Sequence, residues 1–137
     1  MADVQITKVS LAGRDCASSG SHWEPVMGYS RAVRSGPFIA VSGTVGANPD
    51  GSYSPYLVDQ TKRSLEIIQT AIETLGGKLE HVIRTRIFMK DISHWEEVAR
   101  IHGSVFANIR PACTLVEVHR LIDGGALIEI EADVYVA

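Results

Sequence analysis

The stretch "DQTKRSLEIIQTAIETLGGKLEHVIRTRIFMKDI" (residues 59–92) decides the fold, because its hydrophobic period changes in the middle. Val58, Thr61, Leu65, Ile68, Ile72 and Leu75 recur at steps of three and four, which is one face of a helix over about 55–75. Gly76-Gly77 ends that helix, since glycine accepts the left-handed backbone that follows a helix C-terminus. "HVIRTRIFMK" (81–90) then alternates and is β-branched, so it reads as a strand.

Working toward the C-terminus, Ser93 and Glu96 form an S-x-x-E capping-box pattern that opens a second helix. Trp95, Val98, Ile101, His102 and Val105 share its apolar face, and Pro111 stops any continuation. "CTLVEVHRL" (113–121) and "ALIEIEADVYV" (126–136) read as two last strands joined through "IDGG". Toward the N-terminus, "GYSRAVRSGPFIAVSGTVG" (28–46) gives two extended runs around Ser35-Gly36, a hairpin signal. "ITKVSLA" reads as a first strand, and "GRDCASSGSHWEPV" (13–26) as a polar loop without a readable period. The resulting order of six strands and two helices predicts an α+β layer architecture, a mixed sheet with both helices on one face. Strands this apolar need cover on the other face, which predicts association with other subunits.

The 137 residues fit one domain, 1–137, with a sizeable core. Apolar residues make up 45% and charged residues 21%, a globular composition. A net charge of −3 offers no general attraction to nucleic acid or anionic lipid. No apolar run approaches a spanning helix, and the N-terminus lacks the pattern of a secretory signal. Two distant cysteines make no disulfide framework. The expectation is a cytoplasmic protein with no membrane and no nucleic-acid partner.

None of the five histidines pairs in H-x-x-x-H spacing and no C-x-x-C occurs, so no metal is expected. "GTVGANPDG" (43–51) has glycines but not the order of a phosphate loop. Cys113 and His119 share one strand face but lie about 20 Å apart at strand rise, too far to act as a nucleophile and base. Cys113 reads better as a small buried apolar residue than as a nucleophile. Glu129 and Glu131 share one face of an apolar strand, either as a solvated face or as a cleft carboxylate serving as general base or water holder. Tyr29 and Arg31 likewise share a face, an aromatic and a cation suited to a small planar carboxylate.

"GYSRAVRSGPFIAVSGTVG", "DQTKRSLEIIQTAIETLGGKLEHVIRTRIFMKDI", "RPACTLVEV" and "LIEIEA" together resemble the RidA/YjgF family of reactive-intermediate deaminases, over about residues 28–134. The resemblance implies a chorismate-mutase-like α+β fold and a homotrimer whose sheets surround a central barrel, with three inter-subunit clefts. It also implies hydrolysis of enamines and imines, such as 2-aminoacrylate and its tautomer, to 2-keto acids and ammonia without a cofactor. Carried over by motif, Glu129 holds the attacking water, and Tyr29, Ser42 and Gly43 line the cleft. The Leu115 amide helps hold a substrate carboxylate. An arginine directly after the proline–small pair clamps that carboxylate in active members. Here Cys113 follows Pro111-Ala112, and a thiol cannot make that charged bidentate contact. By a looser alignment, a second-helix asparagine of active members is Ala99.

Arg110, Arg31, His102 or His119 could supply a replacement cation; alternatively the cleft binds something neutral and Cys113 serves as a soft or reactive group. Two functions follow. One is a Rid-like small-molecule hydrolase with weak or absent activity on 2-imino acids. The other is a non-catalytic trimer that binds a metabolite or acts as a scaffold.

Overall fold

The computed structural model describes residues 3–137. Its strands are β1 (Thr7–Leu11), β2 (Arg14–Ser18), β3 (Ala32–Ser35), β4 (Phe38–Val45), β5 (Val82–Met89), β6 (Ala112–Glu117) and β7 (Ile128–Tyr135). The helices are α1 (Trp23–Met27), α2 (Leu57–Thr74) and α3 (Trp95–Phe106). All strands join one seven-stranded sheet in the order β1-β2-β3-β4-β7-β5-β6. The α+β class read from the periodicity holds, with one strand and one helix more than expected.

Both additions fall in or at the end of residues 13–26, where the sequence shows no period, α1 running one residue further to Met27. β2 pairs on both sides, with β1 and β3, and its Cys16 and Ala17 are buried. In five residues it offers two buried positions side by side, too short for alternation to register. α1 is a single short turn of helix closed by Gly28 in the left-handed conformation (φ +73°).

The last two strands follow one another in the chain, as expected, but are not neighbours in the sheet. β5 lies between them, antiparallel to β7 and parallel to β6. α3 is the crossover between β5 and β6, since parallel neighbours need a long connection. Helix α3 starts differently from the expected capping box. Asp91 accepts from the Ser93 amide (3.0 Å) and hydroxyl (2.6 Å), and a short 3₁₀ turn leads into Trp95. Asp91 competes successfully for the Ser93 hydroxyl that the box would have used. Trp95, expected in the buried stripe, is half exposed in this chain, whereas Val98, Ile101 and Phe106 are buried.

The core is the layer between the sheet and the two long helices. Leu65, Ile68, Ile72 and Leu75 of the α2 region meet Ile39 and Val41 of β4 and Ile128, Ile130, Ala132 and Val134 of β7. Gly46 permits the closest approach of α2 to β4, because a Cβ there would lie 2.2 Å from the Gln60 carbonyl oxygen. Among the described residues, no helix is long and apolar enough to cross a membrane.

Candidate active site

Strand β7 alternates strictly. Ile128, Ile130, Ala132 and Val134 enter the core, so Glu129, Glu131 and Asp133 line the opposite face. Across the ladder, Asp133 meets Arg84, Glu131 meets Arg86, and Glu129 meets Phe88. Arg86 Nη1 lies 3.2 Å from Glu131 and 3.1 Å from Asp133, and Arg84 Nε lies 3.7 Å from Asp133. Glu129 has an aromatic ring where the other two acids have guanidinium groups. Burial pushes its carboxyl above the ordinary value of 4.5; the Arg31 charge opposes that rise and the Glu131 charge adds to it.

The β4–β7 register shifts by one residue between Val41 and Thr44, a bulge at Ser42-Gly43. The bulge brings Gly43 against the Glu129 side chain: a Cβ on Gly43 would lie 2.7 Å from Glu129 Oε1 and 2.9 Å from its Cδ. Glycine at this position lets the carboxyl group rest directly on the backbone. The Ser42 hydroxyl donates to the Ser30 carbonyl (2.7 Å), which pins the bulge to the preceding loop.

Arg31 is 6% exposed and so is Glu24 of α1. The guanidinium donates to the Gly43 carbonyl, to Thr44 Oγ1 (3.1 Å) and to the Tyr29 hydroxyl (3.0 Å). Its Nε lies 3.9 Å from Glu24 Oε2. Glu24 accepts in turn from the Ser18 hydroxyl (3.1 Å) and from the Ser19 amide and hydroxyl. A buried ion pair survives only when its remaining hydrogen-bonding capacity is met, and this one is met by protein groups. Arg31 therefore acts as an internal strut that ties Tyr29, the bulge carbonyl and α1 together.

Two loops close the other side. Burial first, then the neighbouring Asp123 and Glu129, push the Tyr53 phenol well above its ordinary value of 10.0. The Tyr53 ring lies against Gly125, where a Cβ would come within 2.7 Å of it. Gln60, buried on α2, holds both loops: its amide donates to Ser54 O (2.8 Å) and Gly125 O (3.0 Å), and its oxygen accepts from Leu127 N (2.8 Å).

These elements enclose a cleft of about 730 Å³. Of the residues expected at the site, Tyr29, Arg31, Ser42, Gly43 and Glu129 line it. Cys113, Leu115, Arg110, His102 and His119 do not. Cys113 and Leu115 pair with Thr85 and Ile87 in the β5–β6 ladder and share their helix-facing side. Leu115 packs against the core, whereas Cys113, expected to be buried, is exposed on the edge strand. His102 of α3 meets Thr85 instead, its Nε2 2.9 Å from the Thr85 hydroxyl, and burial lowers its pKa from 6.5. Arg110 takes a left-handed backbone (φ +58°) between α3 and β6. Within one chain, the glutamate half and the cysteine half of the expected site are thus separate.

Glu24, Tyr53 and Asp123 were not expected at the site. Glu24 lies in the stretch without a period, and Tyr53 and Asp123 lie in segments that read only as turns. Among the described residues, no three His, Cys, Asp or Glu side chains are grouped to hold a metal ion.

The chain is thus a layered α+β protein whose sheet bulge seats a carboxylate without a cross-strand arginine in a cleft. The match of residues 20–136 to the Endoribonuclease L-PSP family model shows that the chain belongs to this family, the RidA/YjgF family. An uncharacterized protein of Streptomyces coelicolor is 36% identical over 120 residues, covering 85% of this chain and 88% of that one. A RutC family protein of Pyrococcus abyssi is 32% identical over 114 residues, covering 82% and 89%. A Mycobacterium tuberculosis member of the YjgF/YER057c/UK114 family, solved as a crystal structure, is 45% identical. It superposes with a TM-score of 0.83, covering 90% of this chain and 99% of that chain. The Escherichia coli YjgF product is 30% identical with a TM-score of 0.73, covering 78% and 87%.

Proposed function

We propose that this protein is a homotrimeric, cytoplasmic, cofactor-independent hydrolase of small imines or enamines, with Glu129 holding the attacking water. The observation that carries this reading is Glu129 itself. It is the one acid of its strand face without a cross-strand arginine, and it is set on Gly43 beside Tyr29 in a cleft. A carboxylate whose pKa is raised by burial is a better base than an exposed one and accepts a proton from water more readily. Trimer formation would bring a neighbour's β6 edge, with Cys113 and the Leu115 amide, to each cleft. That edge carries a thiol where active members keep their guanidinium, so turnover of 2-imino acids should be slow. The endoribonuclease name of the family model is not carried over to this cleft: the acids Glu129, Asp123 and Asp50 line it alongside Arg31, Arg63 and Arg120, with no excess of basic groups to hold a phosphate backbone.

The test generates 2-iminopropanoate with an amino-acid oxidase and follows its loss by semicarbazide trapping. Wild-type protein should accelerate hydrolysis weakly, Glu129→Ala should not accelerate it, and Cys113→Arg should gain at least tenfold while remaining trimeric. Acceleration by Glu129→Ala equal to wild type would overturn the role of Glu129. A folded Cys113→Arg trimer without gain would reject the loss-of-clamp account.

A further inference from the structure

Three features of the cleft bear on what it accepts: its cations, its acids and its apolar wall. The cations are largely committed. Arg31 is 6% exposed and Arg63 is 2% exposed. Arg31 is held by Glu24, Tyr29, Thr44 and the Gly43 carbonyl, and Arg63 by the Ala47 and Asp3 carbonyls and Glu66. Arg31 cannot turn to a ligand without leaving the buried Glu24 and Thr44 unmet, and Arg63 is itself buried and already engaged by the acceptors around it. Arg120 also lines the cleft but is exposed, where pairing with a carboxylate is weak.

The acids face inward instead. Glu129 has no arginine opposite it, and Asp123 stands beside Tyr53. A ligand carboxylate at the floor would meet like charge without a free guanidinium. The wall is apolar. Trp23, Met27, Leu121 and Ile122 line the mouth, and Met27 and Ile122 are 63% and 64% exposed in this chain. Large apolar side chains held open at a cleft mouth mark a place where an apolar group is buried on binding.

We infer that the cleft takes a carbonyl-derived imine with an apolar substituent and no carboxylate. The inference rests on the hydrolase reading for its chemistry and on the lining for its ligand class. Water adds through oxygen to the imine carbon, and Glu129 takes one of its protons. That proton passes to nitrogen to give a carbinolamine; its hydroxyl proton then moves to nitrogen as the carbon–nitrogen bond breaks and the carbon–oxygen double bond forms, and the products are a ketone or aldehyde and ammonia. No oxidant, reductant or metal enters the balance.

Two substrates that differ in the carboxylate alone make the test. An amine oxidase acting on 2-phenylethylamine supplies the carboxylate-free imine, and an amino-acid oxidase acting on phenylalanine supplies its carboxylated counterpart. Calorimetry with phenylacetone and phenylpyruvate, non-reacting stand-ins for the products, reads ligand class without turnover. The carboxylate-free imine should be hydrolysed at least tenfold faster, and phenylacetone should bind at least tenfold more tightly. Trp23→Ala should weaken phenylacetone binding severalfold. Hydrolysis of neither imine, with phenylacetone still preferred and weakened by Trp23→Ala, would keep the ligand class and reject the hydrolase reading. Equal or tighter binding of phenylpyruvate, no binding of either ketone, or phenylacetone binding indifferent to Trp23→Ala would overturn the inference.

Discussion

Two arginines in this molecule each face two acids, and their surroundings differ. Arg86 lies on the open sheet face between Glu131 and Asp133, with its side chain 39% exposed. Arg31 lies between Glu24 and the charge of Glu129, 6% exposed, with its hydrogen bonds and ion pair made to buried or half-buried partners. The first pair is screened by water and ions, so its members are nearly independent of one another. The second is not, and removing one charge strands the other in the interior. Similar chemistry therefore serves two ends: solubility or contact on the open face, and fixed geometry at the cleft.

The largest expected effect tests that difference. Arg31→Met should destabilise the fold by about 3–5 kcal/mol, because Glu24 loses its counter-ion and the Gly43 carbonyl loses a donor. Denaturant unfolding checks it. A cost below about 1 kcal/mol would mean that water reaches Glu24 and that the cleft floor is not dry.

How much of this was legible in the sequence depends on whether partner strands were needed. The α2 stripe and the β7 alternation are local periods, and both appear as read. That Glu129 differs from Glu131 is not local. It depends on β5 lying beside β7 in a register that sets Phe88, rather than Arg84 or Arg86, opposite Glu129. Chain order alone does not reveal that neighbour, because β5 and β7 are separated in sequence by α3 and β6. Glu24 was invisible for another reason: it is buried from a helix of five residues, too short to show a period. Cys113 was readable as a departure from the family pattern. Its exposure on an edge strand was not, since alternation predicts faces and not which strand ends the sheet.

A smaller effect separates site from scaffold. Gly43→Ala places a methyl group 2.7 Å from Glu129 Oε1, the movable end of a side chain. The carboxyl group can swing aside, so the stability cost should stay near the low end of overpacking, about 1 kcal/mol. Imine turnover should fall by at least tenfold, because the base has moved. Melting and turnover measured on the same sample check this; loss of both together would make Gly43 a folding residue instead. Below that comes Arg86→Met on the open face, expected to cost less than about 1 kcal/mol in the isolated chain. The same change should weaken the trimer if that face is the barrel interior, which sedimentation at several concentrations reads.

The smallest effect is also the most specific, because it follows the protonation of Glu129 alone. Its folded-state carboxyl lies above the ordinary 4.5, since burial disfavours the charge more than Arg31 restores it. The fold therefore holds the Glu129 proton more tightly than the unfolded chain does. That preference stabilises the protein fully below pH 4.5 and is lost as pH rises through the folded value. Glu129→Gln removes the titration. Relative to wild type, the variant should gain stability as pH is raised from 4.5 toward neutrality, with a flat difference above that range. Phe88→Arg sharpens the same point by giving Glu129 the cross-strand guanidinium that Glu131 already has. It should pull the Glu129 carboxyl down and move the acid limb of turnover to lower pH, with little change at neutral pH. Stability profiles of the three proteins between pH 4 and 8, together with pH–rate profiles of wild type and Phe88→Arg, decide it. An acid limb indifferent to Phe88→Arg would show that the group titrating in turnover is not Glu129, and would turn attention to the Tyr53–Asp123 pair across the cleft.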